Sequence, residues 1–198
     1  TESGEPLMDR RELLKMIVAA TGAAMVGLPA LANGQVPAAG SKSAFSAADV
    51  ATLDEIAETI LPRTGTPGAK DAGAGAFMAT FVSDCYTAEQ QAAFRAGLVD
   101  IDKRAGGRFV ALTAQDRTEL LRTLDAEARK RIVEVDDTGT AEAAAAVPHY
   151  FTMFKQLTIF GFFTSKIGAT EVLKYVAVPG RYEGDVAYVP GTPAWGTS

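Results

Sequence analysis

Apolar residues recur at helical spacing along most of the chain, and polar or Gly/Pro-rich breaks separate the runs. Ser46-Ala47-Ala48-Asp49 has the capping-box pattern that opens a helix. Val50, Leu53, Ile56, Ala57, Ile60 and Leu61 then share one face at three- and four-residue intervals, and Pro62 ends the run. Residues 63–73 hold three glycines, Pro67 and two threonines and read as a structured loop. A second helix is expected with Phe77, Met78, Phe81, Val82 and Cys85 on its apolar face. Thr87 and Gln90 form another capping box ahead of a Phe94, Leu98, Ile101 stripe, which Gly106-Gly107 terminates.

Residues 113–116 open a fourth helix carrying Leu120, Leu121, Leu124 and Ala128, with charges from Asp125 to Arg131 on its solvent side. Residues 134–140 read as a turn, followed by an alanine-rich stretch over 141–147 that Pro148 breaks or restarts. Phe151, Phe154, Leu157, Phe160 and Phe163 then repeat at helical spacing, and a short last helix is expected over 171–175. From Val178 onward Pro179-Gly180, Gly184, Pro190-Gly191 and Pro193 punctuate an extended tail. No internal repeat is visible, and strand-like alternation is confined to 186–189. The expected fold is all-α, about six helices in a compact bundle with an extended C-terminal arm.

The N-terminal pattern is different in kind. Arg10-Arg11 is followed by Leu13, Leu14 and Lys15, then by an apolar run over 16–28, and then by Pro29 and Ala30-Leu31-Ala32. A basic region, a 13-residue apolar core and an A-x-A site ending at Ala32 make a cleavable export signal. A bilayer span needs about 20 apolar residues, so the run is too short to cross a membrane. The paired arginines resemble the twin-arginine signal, which directs folded proteins to the translocase of that name. Met8 is a candidate natural start. Four segments follow: 1–32 signal with its extension, 33–45 linker, 46–177 helical domain, and 178–198 arm.

Composition narrows the chemistry. The chain has 198 residues with 47% hydrophobic content, enough for one core and unlike a disordered chain. A net charge of -5 argues against nucleic acid as a partner. The single cysteine, Cys85, makes no intrachain disulfide and holds no iron–sulfur cluster. The single histidine, His149, excludes a His-based metal cluster. Gly73-Ala74-Gly75 lacks the third glycine of a dinucleotide fingerprint and follows no strand. No catalytic, cofactor-binding or metal-ligating residue is expected in this chain. His149 reads as a helix-start residue, Cys85 as core, and Asp136-Asp137 as a solvated turn.

The aromatic run contains two consecutive pairs, Tyr150-Phe151 and Phe162-Phe163, which point to more than one face of a helix. That leaves open burial inside the domain, against a partner, or both. The tail adds Arg181, Tyr182, Tyr188 and Trp195, residue types that anchor interfaces. These eight positions are the candidate partner interface.

Three stretches resemble the gluconate 2-dehydrogenase subunit 3 family. They are Ile56-Ala57-Glu58-Thr59-Ile60-Leu61-Pro62-Arg63-Thr64-Gly65-Thr66-Pro67-Gly68-Ala69-Lys70-Asp71-Ala72-Gly73, Gly161-Phe162-Phe163-Thr164-Ser165-Lys166-Ile167-Gly168, and Pro179-Gly180-Arg181-Tyr182-Glu183-Gly184. The resemblance implies a small accessory subunit of a periplasmic sugar or glycoside dehydrogenase. It implies a large partner subunit that holds FAD, and in some complexes a further subunit with haem c. It implies no catalytic residue here. At Gly184-Asp185 the chain departs from the pattern, since some relatives carry cysteine there. The alternatives are an independent small enzyme using Cys85 or His149, and a membrane-interface anchor through an uncleaved signal.

Overall fold

The computed structural model describes residues 45–138 and 147–178, with 180, 185, 187 and 189–196; the side chains of 133–138 are not among what it describes. The export signal, most of the linker, and Arg181, Tyr182 and Tyr188 therefore lie outside the described residues. Within them the chain forms α1 (Ala47–Ile60), α2 (Ala74–Cys85), α3 (Ala88–Arg104), a 3-10 turn (Phe109–Ala111), α4 (Ala114–Thr138), α5 (Tyr150–Thr164) and a π-helical turn (Gly168–Val172). No strand occurs among the described residues. The all-α bundle expected from the periodicity is the fold observed.

Helix α5 is the hub, packing against α1, α2, α3, α4 and the π-turn. Its sequence is apolar nearly all round, as a helix enclosed by others requires. Phe151, Met153, Phe154, Leu157 and Phe162 are buried, and Phe154 meets Phe94 of α3 edge-to-face at 4.5 Å. Each such side chain contributes roughly 1.5–3 kcal/mol by leaving water. α1 adds Leu53, Ile56 and Ala57, α3 adds Phe94, Leu98 and Ile101, and α4 adds Leu121, Leu124 and Ala128. These match the stripes expected from spacing. Phe45, assigned to the linker, is buried against Phe94 at 5.8 Å, so the packed domain includes it.

Both capping boxes form. Asp49 N donates to Ser46 Oγ while Asp49 Oδ2 accepts from Ser46 N; Gln90 and Thr87 make the same exchange. At the far end of α3 the chain turns at Gly106, whose φ of 66° is left-handed and suits glycine.

Several expectations change. α2 buries Met78 and Val82 as expected, but Ala74, Gly75 and Ala79 complete its inward face in place of Phe77, Phe81 and Cys85. Phe77 and Phe81 lie half-buried beside it and meet Phe160 at 5.7 and 5.8 Å, and Cys85 is half-buried rather than core. Helix α4 runs through the supposed turn to Thr138, carrying Asp136 and Asp137 in its last turn; no glycine or proline interrupts the segment before Gly139. The last helical element is the π-turn at Gly168–Val172 and not 171–175. Ser165 Oγ accepts from Gly168 N at 2.9 Å and starts the turn early, and Lys174 is already extended.

The arm is not free at its end. Lys174 N donates to Ala194 O at 2.8 Å and Gly196 N to Lys174 O at 2.9 Å, an isolated parallel bridge that brings Trp195 back to the domain.

Candidate functional site

The eight candidate interface residues separate by position. Phe151 and Phe162 are buried among the domain's own helices, at 2% and 4% exposure, and present nothing to a partner. Tyr150 is half-buried; its hydroxyl donates to Asp100 Oδ2 at 2.6 Å, and Asp100 also receives Arg104 Nε at 2.7 Å. These bonds, Tyr150's first, hold the Asp100 carboxyl below its usual range. Tyr150 thus joins α5 to α3, over Gly97, where an added Cβ would stand 2.5 Å from the tyrosine ring. Phe163 is exposed, one turn beyond exposed Ile159 on the same helix. Trp195 is also exposed, with Lys174 Nζ 4.0 Å from its ring centroid. Tyr175, Val176, Val178 and Val189 are exposed apolar residues of the same C-terminal segment.

His149 caps α5. Its Nδ1 accepts from Phe151 N at 3.2 Å, and its ring stacks on Tyr150 at 4.4 Å. The imidazole must be unprotonated at Nδ1 to accept, and burial holds its pKa below the ordinary value. The Cys85 thiol is pushed up, first by burial and then by the neighbouring Asp84 carboxylate, which disfavours the nucleophilic thiolate. His149 and Cys85 are therefore explained as a cap and a half-buried packing residue.

A shallow cleft of about 250 Å³ lies between α1 and α3, lined by Phe45, Asp49, Thr52, Arg95, Leu98, Val99 and Asp102. Its polar groups have structural partners, apart from the buried Arg95 Nε. Asp49 caps α1, Thr52 donates to Ala48 O, Asp102 accepts from Phe109 N at 2.8 Å, and Arg95 lies over the Phe45 ring at 5.4 Å. Among the described residues no group of three or more His, Cys, Asp or Glu is placed to hold a metal, and no helix is long and apolar enough to cross a membrane.

A polar structure that spacing did not reveal occupies the connection from α1 to α2. Three acids of α1 hold it. Glu58 accepts from Arg63 N at 2.8 Å and from Lys70 N at 3.0 Å. Glu55 pairs with Lys70 and with Arg117 of α4, and Arg117 also donates to Val110 O at 2.7 Å. Asp54 Oδ1 accepts from Gly75 N at 2.9 Å. The N-cap residue of α2 is Gly73, which has no side chain to cap with, so Asp54 serves that end from another helix. The only sequence signal was the run of acids Asp54, Glu55 and Glu58 before a basic, glycine-rich loop.

The described domain is thus a helical bundle built around one enclosed helix, with exposed apolar side chains on α5 and the C-terminal segment. Residues 47–180 match the family gluconate 2-dehydrogenase subunit 3. The chain belongs to that family, and so to the subunits of a multi-subunit dehydrogenase. Comparison with curated proteins and with solved structures finds no match.

Proposed function

We propose that the chain is the non-catalytic small subunit of a periplasmic, FAD-dependent sugar or glycoside dehydrogenase. It escorts the flavin-binding subunit through twin-arginine export and stabilises it afterwards. The observation that carries this is the family match across residues 47–180, which makes the chain one subunit among several. Flavin sits in the large partner subunit, and haem c in a further subunit where one is present. Stabilisation follows from mass action: a domain that binds only the folded, loaded flavoprotein shifts the equilibrium toward that state. Exposed Phe163 with Ile159, and Trp195 with its neighbours, supply apolar surface for such a contact. The export half of the reading rests on Arg10, Arg11, Leu13, Leu14 and Lys15, with cleavage after Ala32.

The test is Arg10→Lys together with Arg11→Lys in cells making both subunits. Lysine keeps the charge but loses the planar fork of donors. Dehydrogenase activity is expected to remain in the cytoplasm, with the periplasm depleted of both chains. Normal periplasmic activity of the flavoprotein in that strain would overturn the escort role.

A further inference from the structure

We infer that the excursion over residues 62–68 is a preformed docking loop for the partner dehydrogenase subunit. The inference rests on the subunit reading above and adds a surface to it.

Ala69 N donates to Leu61 O at 2.9 Å. The chain therefore leaves α1 at Leu61, runs through seven residues, and returns to within one hydrogen bond of where it left. Thirteen residues separate α1 from α2, against a typical connection of about 4–6. Most of the additional length lies outside the core: Pro62, Arg63, Thr64, Gly65 and Thr66 are exposed, Pro67 is half-buried and Gly68, at the base, is buried.

Surplus exposed chain is ordinarily loose, and this one is not. Glu58 spans its base, one carboxylate oxygen on Arg63 N and the other on Lys70 N. Asp71 accepts from Gly68 N at 2.8 Å and pairs with the Arg63 side chain. Thr64 N donates to Thr66 O at 3.1 Å across the tip. Gly68 lets the base close, since a Cβ there would lie 2.5 Å from Glu58 Oε1 and 2.7 Å from Arg63 N. Two carboxylates thus hold the backbone of a loop whose residues 62–66 are exposed and whose Gly65 faces open space. Ordering the tip in advance lowers the entropy lost when a partner binds it, the advantage of preorganisation.

The tip also states the chemistry of its partner. It presents the hydroxyls of Thr64 and Thr66, the peptide groups around Gly65, and an Arg63 side chain still 64% exposed despite its pairing with Asp71. A polar protein surface with hydrogen-bonding groups, and a carboxylate opposite Arg63, fits it; an apolar groove does not.

Thr64→Lys with Thr66→Lys, made in the full chain, tests this. Both positions are exposed, so the bundle is untouched, and long charged side chains obstruct the tip. Tagged wild-type and variant chains are co-expressed with the flavin-binding subunit, and association and thermal melting are measured. The variant is expected to bind at least tenfold more weakly with an unchanged melting temperature. A second variant, Glu58→Ala, leaves the tip chemistry intact but frees the base, and is expected to weaken association less. Wild-type association in both variants would overturn the inference. So would weakening accompanied by a lowered melting temperature of the Thr64/Thr66 variant, because the damage would then lie in the fold. If the wild-type chain itself fails to pair with the flavin-binding subunit, the subunit reading falls, and this loop has no partner to dock.

Discussion

Gly75→Ala is a sharp test of how α1 and α2 are joined. Gly75 sits in the first turn of α2, buried against α1. A Cβ there would stand 2.5 Å from Asp54 Oδ1 and 2.8 Å from Asp54 N. The first contact can yield by turning a side chain. The second is with backbone and yields only if the helices separate. Turning the carboxylate away also removes the bond from Gly75 N to Asp54, which replaces the missing cap. Overpacking costs about 1–3 kcal/mol, and the lost cap about 0.5–2 kcal/mol. Against these, alanine gains at most about 1 kcal/mol of helix propensity over glycine. The net is a loss of roughly 1–3 kcal/mol, since the two costs overlap in one displaced carboxylate. Urea unfolding followed by circular dichroism reads it as a lower midpoint at constant slope. Asp54→Ala separates the terms: it removes the cap alone, and Gly75→Ala placed on that background still meets the Asp54 backbone nitrogen. A Gly75→Ala protein as stable as the parent would refute the close crossing. A double variant no worse than Asp54→Ala would show that the cap, and not the contact, carries the effect.

Two further outcomes follow from the same elements. His149 is held unprotonated by its bond from Phe151 N, with Glu127 and Arg131 of α4 and Asp100 and Arg104 of α3 near it, and burial lowers its pKa. Its contribution is therefore full above the unfolded-state value of 6.5 and is lost as pH falls through the lower folded value. The chain's single imidazole resonance is expected to titrate below 6.5, and His149→Asn, a cap that does not titrate, is expected to flatten the acid slope of stability; a midpoint above 6.5, or an unchanged slope, would contradict the cap. Tyr150→Phe removes the bond to Asp100 and is expected to cost about 0.5–1.5 kcal/mol by urea unfolding, whereas an unchanged midpoint would mean that Arg104 alone satisfies the carboxylate.

The features legible in the sequence are those that complete themselves within a few residues. A capping box lies within four positions, so Ser46 with Asp49 and Thr87 with Gln90 are recognisable from residue types and spacing alone. The stripes of α1, α3 and α4 are equally local. Asp54 with Gly75 and Glu58 with Lys70 are bonds between a helix and chain that has turned back upon it, across 21 and 12 residues. Nothing in the spacing of an acid identifies which distant amide it will meet. The same limit explains α2, whose large residues suggested an inward face of Phe77 and Phe81. Ala74, Gly75 and Ala79 are buried there together with Met78 and Val82, with Gly75 close against Asp54 of α1, and the two rings lie to the side, against Phe160.

Adjacent residues of one type show the limit most directly. Phe162 and Phe163 are the same residue type side by side in the sequence, yet one is buried and the other exposed. Successive side chains on a helix point about 100° apart, so a consecutive pair always looks in two directions. Composition says that both rings favour leaving water; only the packing around α5 decides which of them has done so within the chain. The direction that remains among the described residues, Phe163 with Ile159 a turn before it, is where burial is still available.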